Sequence, residues 1–171
     1  TLSYGELAQQ IRRCAAGLRA LGLRREDRVL LLMHDCSDWP VAFLGALFAG
    51  VVPVAVNTLL TADDYAFMLR DSRAQAALVS AALFPTLQAA LAQGGHEVGP
   101  VVVSRAATEL PDGCTDFDAL LAAQAQADVA DTHADEAAFW LYSSGSTGKP
   151  KGTVHTQANL YWTAELYGKA V

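Results

Sequence analysis

Eleven consecutive residues concentrate the side chains that handle anions: Tyr142-Ser143-Ser144-Gly145-Ser146-Thr147-Gly148-Lys149-Pro150-Lys151-Gly152. Ser143, Ser144, Ser146 and Thr147 bring hydroxyl donors. Gly145, Gly148 and Gly152 let the backbone approach an anion and turn its N–H groups inward. Lys149 and Lys151 add mobile positive charge suited to phosphoryl oxygens. A flexible surface turn has a similar composition. This one directly follows the apolar run Ala137 to Tyr142, and ligands of open α/β sheets gather at strand carboxyl ends. The loop is not the ordinary ATPase loop, because two residues rather than four separate Gly145 from Gly148, and Pro150 follows Lys149. It also lacks the dinucleotide GxGxxG pattern.

The elements that must position this loop are legible upstream. Ser3 and Glu6 form a capping-box pattern, followed by Leu7, Ile11, Cys14, Leu18 and Leu21 at helical spacing. Arg28 to Met33 predicts a strand, and a second helix is expected to run to about Ala49 before a strand at Val51 to Val56. Thr61 is expected to cap a helix running to about Asp71, with Asp64 at its third position and Leu60 stapled on Tyr65. A strand at Ala76 to Ser80, a helix at Ala81 to Gln93 and a strand at Val98 to Ser104 follow. A short helix is expected from about Asp116 to Ala127, then a surface linker at about 128–136. After the strand at Ala137 to Tyr142 and the loop, a short strand is expected at Gly152 to His155. Thr156 is the expected cap of a last helix through Lys169. Strands that are apolar throughout are covered on both faces, so the fold class is α/β with a mostly parallel sheet and flanking helices.

Composition narrows the function classes. The 171 residues are 52% hydrophobic and 18% charged, enough apolar side chain for one real core. The net charge of -6 and scattered arginines give no footprint for nucleic acid. The uncharged stretch Trp39 to Val56 is interrupted by Gly50 and Pro53, so it predicts a buried helix and strand rather than a membrane span. Cys14, Cys36 and Cys114 are widely spaced and odd in number, as expected of free thiols in a reducing cytoplasm. No metal ligand is assigned. His34, Cys36 and Asp38 lack further ligand-type neighbours, and His133 with Asp131 and Asp135 belongs to the solvated linker. His155 is expected to pack or cap. Trp140 and Tyr142 should share one sheet face, and Tyr161 and Trp162 should pack the terminal helix. Gly-x-Ser-x-Gly is absent, which argues against serine hydrolysis.

Ser143 to Gly152 resembles the signature loop of the adenylate-forming superfamily: acyl- and aryl-CoA ligases, luciferases and peptide-synthetase adenylation domains. Every fixed position of Ser/Thr-Ser-Gly-Ser/Thr-Thr-Gly-x-Pro-Lys-Gly is met. Thr1 to Leu7 resembles the Thr-Tyr-x-x-Leu opening of these enzymes, and Gly50-Val51-Val52-Pro53-Val54 their segment between helix and strand. Val51 to Tyr65 and Phe139 to Gly168 resemble the benzoate and 4-hydroxybenzoate CoA ligases in particular. The resemblance implies the amino-terminal part of the ligase large domain, with the phosphate loop at 143–152. It implies ATP, Mg2+ and coenzyme A, and an aromatic acid as small-molecule partner, with benzoate favoured. Another acid, such as a substituted benzoate or cyclohexanecarboxylate, and a non-catalytic nucleotide-binding module are the alternatives. Ser143, Ser144, Gly145, Ser146, Thr147, Gly148, Lys149 and Lys151 are the implied nucleotide contacts. Lys151 and Thr147 carry the catalytic role, and Lys149 stands at the variable position.

Some family features do not occur in this sequence. The Tyr-Gly-x-Thr-Glu segment, the ribose-binding aspartate motif, the hinge and the small mobile domain with its adenylation lysine are absent. Tyr167-Gly168 does not continue into the first of these. The chain opens at Thr1 without an initiator Met and stops at Val171, so both ends are expected to be cuts. The expectation is a fragment that is inactive by itself and marginal or self-associating.

Overall fold

The computed structural model describes residues 2–123, 125–143 and 149–170. Helix α1 (Tyr4–Ala20) begins where expected: the Glu6 N–H donates to Ser3 Oγ at 3.3 Å, and the Ser3 N–H donates back to the Glu6 carboxylate at 2.8 Å. That exchange satisfies two otherwise orphaned donors of the first turn. Strand β1 (Arg28–Leu32), helix α2 (Asp38–Ala49) and strand β2 (Val52–Ala55) follow. Gly50 ends α2 in the left-handed region, at φ 76°. A Cβ there would also lie 2.9 Å from Ala130, so its absence lets a later segment pass. The uncharged stretch 39–56 is thus a helix and a strand. Among the described residues no helix is long and apolar enough to cross a membrane.

Helix α3 (Ala62–Ser72) repeats the capping box with Thr61 and Asp64. The Tyr65 ring is fully buried beneath the segment that leads into it. Its hydroxyl donates to Asn57 O at 2.7 Å and accepts from the Leu60 N–H at 3.2 Å. Strand β3 (Ala76–Ser80), a 3-10 turn (Ala81–Leu83), helix α4 (Phe84–Leu91) and strand β4 (Val101–Ser104) complete the middle of the chain. Helix α4 is shorter at both ends than expected. Strand β5 (Cys114–Asp116) was not legible: it is three half-buried residues paired only along β4. Helix α5 (Phe117–Ala122) starts where expected but stops well before Ala127, and Asp116 caps it, accepting from the Ala119 N–H at 2.9 Å.

The described strands form one sheet in the order β5-β4-β3-β1-β2-β6-β7, where β6 is Ala137–Ser143 and β7 is Lys151–Thr156. All pairings are parallel except β6 with β7, an antiparallel hairpin. Strand β1 shows why the strands are apolar throughout. Val29, Leu31 and Met33 face the layer of α1, α2 and α5, while Leu30 and Leu32 face α3 and α4. Pro53 lies inside β2. The Val52 N–H donates toward β1, to Asp27 O at 2.8 Å, so by strand alternation the missing Pro53 N–H faces β6. The ladder to β6 is short: Val54 pairs with Trp140 and Ala55 with Leu141.

Residues 125–136 carry the chain from the β5 edge back across α1 and α2 to β6. They have no regular structure, yet they are pinned. The Ala127 N–H donates to Arg12 O at 3.1 Å, the Ala130 N–H to Phe48 O at 2.9 Å, and Arg25 pairs with Glu136. Helix α6 (Gln157–Ala170) closes the chain. Thr156 does not cap it by accepting a bond. Its N–H donates to Asn159 Oδ1 at 2.7 Å, and its hydroxyl donates to the same oxygen. Tyr161 and Trp162 do not pack either: they touch edge to face, and 59% and 56% of their surfaces stay exposed. The reason is geometric. Leu160, Leu166 and Tyr167 are exposed as well, and no described element lies over α6.

Candidate functional site

The two limbs of the glycine-rich loop close as a hairpin. Tyr142 sits opposite Gly152 and Ser143 opposite Lys151, so the end of β6 and the start of β7 lie side by side. Ser143, Lys149 and Lys151 are all solvent-facing at this mouth. Ser144, Gly145, Ser146, Thr147 and Gly148 lie outside the described residues. The structure therefore brings together the ends of the expected site: one hydroxyl and two ammonium groups at the carboxyl end of β6.

Each limb also meets helix α3. On the incoming side, the Tyr142 hydroxyl donates to Asp71 Oδ2 at 2.7 Å. Burial raises the pKa of this phenol, and the hydrogen bond to the Asp71 carboxylate and its charge raise it further, so it remains a donor. On the outgoing side, Lys149 Nζ lies 5.7 Å from the centre of the Phe67 ring. Gly152 makes room between them. A Cβ there would come within 3.2 Å of the Trp140 ring and 3.4 Å of the Tyr142 ring. Trp140 and Tyr142 share the α3 and α4 face of the sheet, as their spacing implied.

Beside the loop, the carboxyl ends of β1, β2 and β6 border an open crevice of about 420 Å3. Met33 and Asp35 line it after β1, Asn57 and Thr58 after β2, Tyr142 on β6, and Trp39 from α2. Apart from Tyr142, these residues escaped the sequence reading as site residues. The usable signal was position: Met33, Asp35, Asn57 and Thr58 each follow the carboxyl end of a strand in a parallel sheet. Strand β1 is also where the strand order turns, with β2 on one side and β3 on the other.

The remaining candidates sit away from the loop. His155 stacks on Phe139 at 4.5 Å, Phe139 meets the Phe43 edge, and Phe43 stacks on Trp39. His155 is thus packed, as expected. Asp38 accepts from Ser104 Oγ at 2.6 Å and from Arg105 Nε at 3.2 Å, while the His34 N–H donates to Ser80. His133, Asp131 and Asp135 are exposed on the linker. Among the described residues no group of three or more His, Cys, Asp or Glu side chains is placed to hold a metal ion.

Residues 1–170 match the family model described as AMP-binding enzyme. The chain belongs to the AMP-binding enzyme family. Within that family, it is 46% identical over 171 residues to a benzoate–CoA ligase of Thauera aromatica. The alignment covers 99% of this chain and 31% of that protein. A crystal structure of a benzoate CoA ligase from Burkholderia xenovorans LB400 superposes with a TM-score of 0.84 at 49% identity, over 98% of this chain and 32% of the other. An anthranilate CoA ligase in complex with anthranoyl-AMP superposes with a TM-score of 0.87 at 28% identity, over 96% and 31%. The chain spans about a third of the length of these AMP-binding enzymes.

Proposed function

We propose that this chain is the amino-terminal part of the large domain of an ATP-dependent aryl–CoA ligase, with benzoate the favoured acid. The observation that carries the reading is the complete loop pattern, set on a hairpin at the carboxyl end of β6, in a chain 46% identical to a benzoate–CoA ligase.

In the first half-reaction a carboxylate oxygen of the acid attacks the α-phosphorus of ATP. The bond from that phosphorus to the pyrophosphate oxygen breaks, giving an acyl-adenylate and diphosphate. In the second, the coenzyme A thiol attacks the acyl carbon, and AMP leaves with the electron pair. Residues 143–152 hold the β- and γ-phosphates. Lys151 and Thr147 stabilise the charge that builds on the departing pyrophosphate, and Ser143, Ser144, Ser146 and Lys149 with Gly145 and Gly148 complete the cradle. Two lysines and a row of hydroxyls suit anionic oxygens rather than a cation. The described residues offer Mg2+ no carboxylate set of their own, so it would be carried by the phosphate oxygens. Bound there, it would reduce their mutual repulsion. The acid pocket, adenine contacts, hinge and small domain belong to sequence outside these 171 residues. The piece alone therefore forms no acyl-CoA.

Acid-dependent ATP–pyrophosphate exchange by the full-length protein tests this directly. Strong exchange with benzoate is expected, against weak exchange with acetate or a medium-chain fatty acid. Exchange with another acid alone overturns the substrate. None with any acid, in folded protein, overturns the ligase reading in favour of a non-catalytic module.

A further inference from the structure

Two residues of α3 stand where the mouth of the loop meets the body of the protein. Phe67 and Asp71 are four residues apart and so share one face of the helix. Asp71 takes the Tyr142 hydroxyl at 2.7 Å, one residue before the loop begins at Ser143. Phe67 lies under Lys149, on the limb that returns from the loop. The hairpin is otherwise tied to the parallel sheet by the short ladder from Val54 and Ala55 to Trp140 and Leu141. Resting on the ligase reading, we infer that α3 is a clamp. Asp71, through Tyr142, and Phe67, through Lys149, are positioning residues that fix the phosphate loop's mouth for ATP.

The chemistry of the pair suits this role. A phenol bonded to a carboxylate is a charge-assisted hydrogen bond with a narrow geometry, so it sets the height of Tyr142 above α3. A ring beneath an ammonium tolerates sliding, so it guides the returning limb without locking it. Gly152 admits the Tyr142 ring across the hairpin, where a side chain would press on it. Neither Asp71 nor Phe67 belongs to the loop motif, and neither is expected to touch ATP.

The test uses the full-length protein and the variants Tyr142→Phe, Asp71→Leu, Asp71→Asn and Phe67→Leu. Glu109→Gln, at an exposed position between β4 and β5, is the control. In pyrophosphate exchange, Tyr142→Phe and Asp71→Leu should each raise the apparent KM for ATP about tenfold, the size of one lost hydrogen bond to a charged acceptor. The apparent KM for the acid should not move. The double variant should be no worse than either single one, and Asp71→Asn, which keeps an acceptor oxygen, should recover most of the loss. Phe67→Leu should raise the KM for ATP about two- to fivefold.

Hydrogen exchange reads the clamp without any turnover. Backbone amides of 143–152 should exchange faster in Asp71→Leu, with the amides of β1 and β3 unchanged. An unchanged KM for ATP in Asp71→Leu in an active enzyme, or unchanged exchange at 143–152, overturns the clamp. An equal rise in both KM values does so as well, because that marks general damage. Wild-type protein that activates no acid overturns the ligase reading instead, and the hydrogen-exchange comparison then still decides the clamp.

Discussion

Gly45 sits where α2 crosses α1, and replacing it by alanine measures how closely the two helices are pressed. A Cβ built on Gly45 would lie 2.7 Å from both Cβ and Sγ of Cys14. Ordinary carbon contacts begin near 3.5 Å, so the backbones must part by most of an ångström, or Cys14 must move within a fully buried site. Overpacking of this kind costs about 1–3 kcal/mol. Against it stands the helix preference for alanine over glycine, about 1 kcal/mol. The net expectation for Gly45→Ala is a loss of up to about 2 kcal/mol, or a fall in Tm of up to several degrees for a chain of this size. Gly5→Ala is the internal standard. It also lies in a helix, but nothing stands within 4 Å of its added methyl, so it should be neutral or gain up to about 1 kcal/mol. Cys14→Ala should not rescue Gly45→Ala, since the Cys14 Cβ itself is in the way. The assay is urea unfolding followed by tryptophan fluorescence, comparing midpoints at unchanged slope. A Gly45→Ala protein that gains the full helix preference of about 1 kcal/mol over the parent would refute the close crossing.

Three further outcomes are expected. Lys151→Ala in the full-length protein should lower ATP–pyrophosphate exchange by about 2–4 kcal/mol of transition-state stabilisation, some 30- to 1,000-fold; Lys149→Ala should cost far less, and the reverse order would transfer the catalytic role. Tyr65→Phe leaves the Leu60 N–H and Asn57 O beneath the crevice without a partner. It should cost about 1–3 kcal/mol, read by chemical denaturation, and a neutral result would show that water replaces the hydroxyl. Burial pushes the Cys14 thiol up to about 12. The unfolded thiol ionises near its ordinary value and the folded one does not, so Cys14's contribution to stability is complete below that ordinary value and is lost as pH rises toward 12. Native protein at pH 8 should accordingly show Cys14 unreactive toward iodoacetamide by peptide mapping, with labelling appearing only on denaturation.

Features that rest on neighbours in the chain were legible. Both capping boxes, Ser3 with Glu6 and Thr61 with Asp64, span three residues and needed nothing from elsewhere. Strands β1 to β4 were legible because burial on two faces leaves an unbroken apolar run, and the anion chemistry of the loop because its groups are contiguous. What depended on distant partners was not. Strand β5 is a strand only because β4 lies beside it. The Tyr142–Asp71 bond joins positions 71 residues apart, with no local pattern to announce it. The aromatic residues of α6 suggested packing, but their spacing spreads them around the helix. No rule of periodicity says whether a cover exists. The crevice beside the loop is assembled from the ends of three strands and one helix, so it appears only once the strand order is known.

Pro53 has a consequence for how the chain is made. When synthesis from the amino end has delivered β1 to β5, the outer side of β2 has no strand beside it, because β6 comes later. A nascent edge of apolar residues invites pairing with another molecule. The proline has no N–H to offer on that side, so the open edge lacks one donor of the row a foreign strand would need. When β6 arrives, it pairs with Val54 and Ala55, past the proline. The residue that shortens the ladder in the finished sheet therefore also guards the half-made one against aggregation on the ribosome.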